Sequence, residues 1–196
     1  LKKIIPFVFV LLWSTGFIGA KFGLPYASTG DFLFIRTVAN IVVFVCLMQF
    51  MAYSTLSNRQ IFHAMVTGIL IHGAYLGGVF GAIEFGIPAG LTAIIVGLQP
   101  LFTGLLSIAL FKVRLSKLQW GALLIGFCGL ILVVNSGIEF ATVSASALCF
   151  AFIALAGITL GTLYQKRYCQ QQSLLPSVCW QYVASLIVFL PLTFFD

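Results

Sequence analysis

Few residues of this chain could do chemistry, and most of them lie inside long apolar runs. Trp13, Ser14 and Thr15 interrupt the first run, Asn40 the second, His72 and Tyr75 the third, and Gln99 with Pro100 the fourth. Each falls near the middle of its run, where a hydrogen-bonding side chain is costly unless it meets a partner or a wet cavity. Tryptophan prefers an interface at which its indole N–H finds water, so Trp13 at mid-run either packs in a core or lines a binding space. His72 could relay a proton, because imidazole titrates near neutrality; it could equally stay neutral and bond a neighbouring helix. Pro100 deletes one backbone hydrogen bond and frees a carbonyl beside the Gln99 amide, which could hold a solute or simply kink a helix. The candidate substrate-binding residues are therefore Trp13, Ser14, Asn40, His72, Tyr75, Gln99 and Pro100.

Other chemistries have no footing. No Ser/His/Asp set is sensibly placed, and neither a phosphate-cradling glycine loop nor an HExxH metal helix occurs. Cys46, Cys128, Cys149, Cys169 and Cys179 lack metal-ligand spacing, and four of them lie in apolar runs, where cysteine behaves as a small hydrophobe. The expectation is no enzyme, no catalytic residue, no disulfide, no metal and no cofactor.

The elements that must carry these residues follow from composition. Hydrophobic residues make up 61% of the 196 and charged residues only 7%, too few to cover the surface of a soluble domain. Lipid is the solvent that fits, and a span needs about 20 mostly apolar residues. Cutting at charges, prolines and polar clusters predicts seven helices over 4–22, 32–51, 61–82, 90–111, 118–134, 144–164 and 174–194. Period-two alternation is missing, which argues against a β-barrel. The first run, behind Lys2 and Lys3, reads as a span and not as a leader, because nothing polar follows it.

The formal charge of +6 reports topology. With the N-terminus in the cytoplasm, Lys2, Lys3, Arg59, Lys112, Arg114, Lys117, Lys166 and Arg167 fall inside. Lys21 and Arg36 fall outside, together with Asp31, Glu84, Glu139 and Asp196. That bias fixes the N-terminus as cytoplasmic and argues against nucleic-acid binding. It also opposes a seven-helix receptor, and the seventh span has no lysine for a retinal linkage. Arg36 reads as structural, snorkelling outward or pairing with Asp31. Gly73, Gly77 and Gly81 recur every four residues and make one packing stripe down the third helix, while Gly90, Gly97 and Gly104 recur every seven in the fourth.

An offset of 145 aligns the chain with itself. Ser14, Gly16 and Lys21 fall on Thr159, Gly161 and Lys166; Val38, Ala39, Phe44 and Leu47 fall on Val183, Ala184, Phe189 and Leu192. The second copy starts five spans after the first, an odd number, so it must enter the membrane inverted, and inverted repeats carry binding sites at mid-depth between halves.

Two stretches resemble a known family. GLTAIIVGLQPLFTGLLSIALFKVRLSKLQWGALLIGFCGLILVV over 90–134 is similar to the fourth and fifth spans of the drug/metabolite transporter superfamily, EamA-type branch. LLWSTGFIGAKFGLPYASTGDFLFIRTVANIVVF over 11–44 resembles its opening W-x-x-x-F segment and its arginine-bearing second helix. The resemblance implies ten helices in two inverted five-helix repeats, and export of amino acids, metabolites or toxic compounds from the inner membrane. On it, residues 1–137 form one complete repeat and 141–196 begin the second with two helices. Lys112 and Val113 stand where many relatives carry Gly-Glu.

The sequence thus reads as an all-α integral membrane protein of about seven helices, a multi-pass exporter of small organic metabolites working by alternating access. Its partners are a small-molecule substrate and the lipid bilayer, and a homodimer could supply helices that the chain lacks. The alternative is a non-transporting truncated fragment, or a scaffold that needs a partner.

Overall fold

The computed structural model describes residues 4–135 and 143–194, and there the chain is a bundle of helices without a strand. Lys2, Lys3, Glu139 and Asp196, which entered the orientation argument, lie outside the described residues. Seven rods are built from α1 (Ile5–Gly23), α2 (Thr29–Phe50), α3 (Asn58–Gly68), α4 (Gly77–Glu84), α5 (Ala89–Val96), α6 (Gln99–Phe111), α7 (Lys117–Asn135), α8 (Ala145–Tyr168) and α9 (Leu174–Leu192). A π-helical segment, Ile69–Leu76, joins α3 to α4. Five rods are long and apolar enough to cross a membrane: α2, α3 through α4, α5 with α6, α8 and α9. The remaining two, α1 and α7, have 19 residues each.

Helix starts follow from local side-chain chemistry. Ser57 and Gln60 form a reciprocal capping box at α3, and Ser116 with Gln119 does the same before α7. Ser28 accepts from Asp31 N at α2, and Ser144 from Ala147 N at α8. These serines satisfy first-turn N–H groups that the helix itself leaves orphaned.

The rod from α3 to α4 is the hub, wedged between α8 and α9. Its glycines permit this, though not as the single stripe that the spacing predicts. A methyl group on Gly73 would meet Val188 and one on Gly77 would meet Phe189, both on α9; one on Gly78 would meet the Ala154 backbone and one on Gly81 the Phe150 ring, both on α8. Because the rod lies between two neighbours, its small residues divide between them. The core gathers here around Tyr75, Val79, Phe80, Ala154, Ile158 and Phe189. Large apolar side chains such as Phe7, Phe50, Leu118 and Leu132 cover the outside, as a surface wetted by lipid requires.

Two rods depart from simple helices. The fourth breaks at Gly97 and Leu98, and α6 starts afresh at Gln99 with Pro100 in its first turn. Pro100 stands in the first turn after this break, where the regular ladder of hydrogen bonds is interrupted and its missing N–H costs little. The third rod contains the π segment, whose hydrogen bonds run i→i+5 and widen the turn. Room for that turn comes from α8: a methyl on Gly157 would stand 2.8 Å from Leu70 O and Tyr75 N, and one on Gly161 would press on Ile71.

Candidate functional site

The wide turn places His72 and Tyr75 on different neighbours. Tyr75, almost wholly buried, accepts a hydrogen bond from Trp13 Nε1 on α1 at 3.0 Å. His72 stacks on the Tyr182 ring of α9, with centroids 4.3 Å apart and planes 22° from parallel. Tyr182 is held in turn against Phe44 of α2 at 5.8 Å. Both residues of the π segment thus reach across the bundle, one to each flank.

Between these pairs lies a cavity of about 390 Å³, lined by Trp13, Phe17, Arg36, His72, Tyr75, Phe80 and Tyr182 among others. Its walls come from α1, α2, the π segment, α4, α8 and α9. Trp13 and Tyr182 stand at the middle of their helices, so the cavity lies near half-depth. Trp13 also meets Phe17 edge-on at 6.3 Å. The result is a chamber of aromatic and aliphatic walls with an indole N–H, two phenol hydroxyls, one imidazole and one guanidinium. Such a chamber can bind a small organic molecule by apolar contact while a few polar groups fix its orientation.

Of the residues singled out by sequence, Trp13, His72 and Tyr75 come together here. Arg36, read as a structural residue that snorkels outward or pairs with Asp31, lines this cavity and a second one between α1 and α2. The remaining candidates are elsewhere or turned onto their own helices. Ser14 donates to Val10 O at 2.5 Å and Asn40 Nδ2 donates to Arg36 O at 2.8 Å. Gln99 Nε2 reaches Thr162 Oγ1 on α8 at 3.5 Å, and Pro100 lines a different cavity bounded by Lys166 and Arg167. Sequence reasoning passed over Tyr182 and Phe80; one readable signal was that Tyr182 follows Gln181, which stands 145 residues after Arg36.

The two ends of the bundle are stitched by polar contacts. At one, Glu84 Oε1 accepts from Thr29 N at 3.4 Å and Ser144 Oγ donates to Phe85 O at 3.4 Å. At the other, His63 Nδ1 and Tyr164 Oη are 2.7 Å apart, His63 stacks on Tyr168 at 4.7 Å, and Gln172 Nε2 donates to Gln60 O at 3.1 Å. Among the described residues no cluster of His, Cys, Asp and Glu could hold a metal ion.

Comparison with known proteins gives the family of the chain. Relatives include a "Probable amino-acid metabolite efflux pump" of Salmonella typhimurium, 23% identical over 126 residues, which are 63% of this chain and 42% of that protein. The "Uncharacterized inner membrane transporter YedA" of Escherichia coli is 26% identical over 135 residues, 67% of this chain and 42% of that protein. The match thus spans less than half the length of these curated relatives. No solved structure matches the chain. The profile of the EamA-like transporter family matches residues 4–135, two thirds of the sequence, and the chain belongs to that family.

Proposed function

We propose that the chain takes part in moving small organic metabolites outward across the inner membrane, with the half-depth cavity as its binding site and the N-terminus in the cytoplasm. One observation carries the reading: α1, α2, the π segment, α8 and α9 share the walls of one chamber, and we assign the first three to one repeat and the last two to the start of a second. A site between inverted halves is where alternating access would expose a solute to each side in turn. The efflux named for the Salmonella relative supports the outward direction and the metabolite class. His72, packed on Tyr182 in the chamber wall, is the group proposed to couple transport to protons. A second copy of the chain is the partner proposed where one copy does not suffice.

The test is efflux from bacteria that express the chain and are loaded with labelled amino acids and hydrophobic drugs. Efflux of at least one class is expected to rise, and to fall back with Trp13→Ala or Tyr75→Ala at equal membrane abundance. No efflux above background, with both variants matching the parent, would replace this reading with the partner-dependent scaffold. His72→Ala is expected to abolish any pH dependence of efflux; an unchanged pH profile removes the proton role.

A further inference from the structure

The polar groups of the chamber are unequal in charge. Arg36 is its one permanent ion, and it lines the same cavity as His72, Tyr75 and Tyr182. Neither this cavity nor the adjoining one that Arg36 also lines contains an aspartate or glutamate. A guanidinium at this depth is costly without a counter-charge, and its planar fork matches a carboxylate. The aromatic walls suit a flat apolar body. An ammonium group, in contrast, would find no carboxylate to receive it and would be repelled by Arg36 at low dielectric.

We infer that the chamber selects small aromatic or apolar organic anions, with the acid group on Arg36 and the body between Trp13 and Tyr182, in preference to zwitterions and amines. This inference rests on the chamber being the binding site, and it narrows the ligand class. At offset 145 the position of Arg36 is occupied by Gln181, so the charge is present once and the chamber is polarised towards the α2 side.

The experiment is equilibrium binding to the purified full chain in detergent. Phenylacetate, L-phenylalanine and 2-phenylethylamine serve as probes of one ring size and three charge states. Readout is Trp13 fluorescence in a Trp120→Phe, Trp180→Phe background, checked by calorimetry on the unsubstituted chain. Phenylacetate is expected to bind at least about tenfold more tightly than phenylalanine, and the amine more weakly still. Arg36→Gln should weaken phenylacetate by about tenfold or more, and Arg36→Lys by less. Phenylalanine or the amine binding as well as phenylacetate overturns the charge preference while leaving the chamber as a site. No binding of any probe overturns both. Should Arg36→Gln fail to fold, the three-probe ranking on the unsubstituted chain still decides.

Discussion

A methyl group added at Gly78 tests the account of how this bundle is held together. On Gly78 it would lie 2.6 Å from Ala154 N and Phe150 O. Both atoms are backbone, so no side chain can turn aside. Ordinary contact begins near 3.4 Å, so α4 and α8 must separate by about 0.8 Å for Gly78→Ala to fit. A gap of that size forfeits roughly a quarter to a half of the dispersion energy of the atoms it parts, and in lipid that dispersion is the main attraction between helices. Overpacking of this kind costs about 1–3 kcal/mol. Alanine also raises helix propensity over glycine by about 1 kcal/mol, so an internal standard is needed. Gly16→Ala supplies it, because Gly16 is helical and has nothing within 4 Å of the added methyl. Unfolding each variant by sodium dodecyl sulfate titration from mixed micelles should show Gly78→Ala less stable than Gly16→Ala by about 1–3 kcal/mol. A difference below about 0.5 kcal/mol would refute the claim that α4 and α8 meet backbone to backbone at this glycine.

Tyr75→Phe deletes the acceptor of the Trp13 N–H and should cost about 0.5–1.5 kcal/mol in the same titration, with a change in Trp13 emission when it is the sole tryptophan. Lys112 ends α6 in the left-handed region at φ 52°, so Lys112→Gly should stabilise by about 0.4–1 kcal/mol; equal or lower stability would mean that the lysine side chain contributes more than the strain it causes. Tyr164→Phe removes the hydroxyl that His63 Nδ1 meets at 2.7 Å and should lower stability by about 0.5–1.5 kcal/mol, measured alongside a His63→Ala, Tyr164→Phe double variant to isolate the pair.

The rods were legible because lipid writes its demand into every turn of them: apolar runs bounded by charges, prolines and polar clusters. Trp13, His72 and Tyr75 stood out for the same reason, since each breaks a run at a depth where a polar atom needs company. The placement of Arg36 against the cavities was hidden because a long side chain one or two turns inside a helix can reach either way, and only packing decides the direction. Tyr182 was hidden because a tyrosine in an apolar helix reads as filler until the imidazole stacked on it is known. Gln99 and Pro100 lie apart from the other candidates. Their proximity to a break was correctly signalled by the proline, but the break turns Gln99 towards Thr162 and leaves the chamber to other helices. The π segment had no local signature, because glycines on another helix, Gly157 and Gly161, make space for it.

That segment gives the third rod a spare residue. Removing one residue between 69 and 76 would let the rod close as a regular α-helix, with the flanking halves near their present register because the wide turn already absorbs the extra residue. The rod would still reach across the bilayer, so insertion and gross architecture would survive. His72 and Tyr75 would no longer point to Tyr182 and Trp13. A single-codon deletion here would therefore re-aim two polar side chains of the cavity wall while sparing the membrane span, so the lining of the cavity is set separately from the length of the rod.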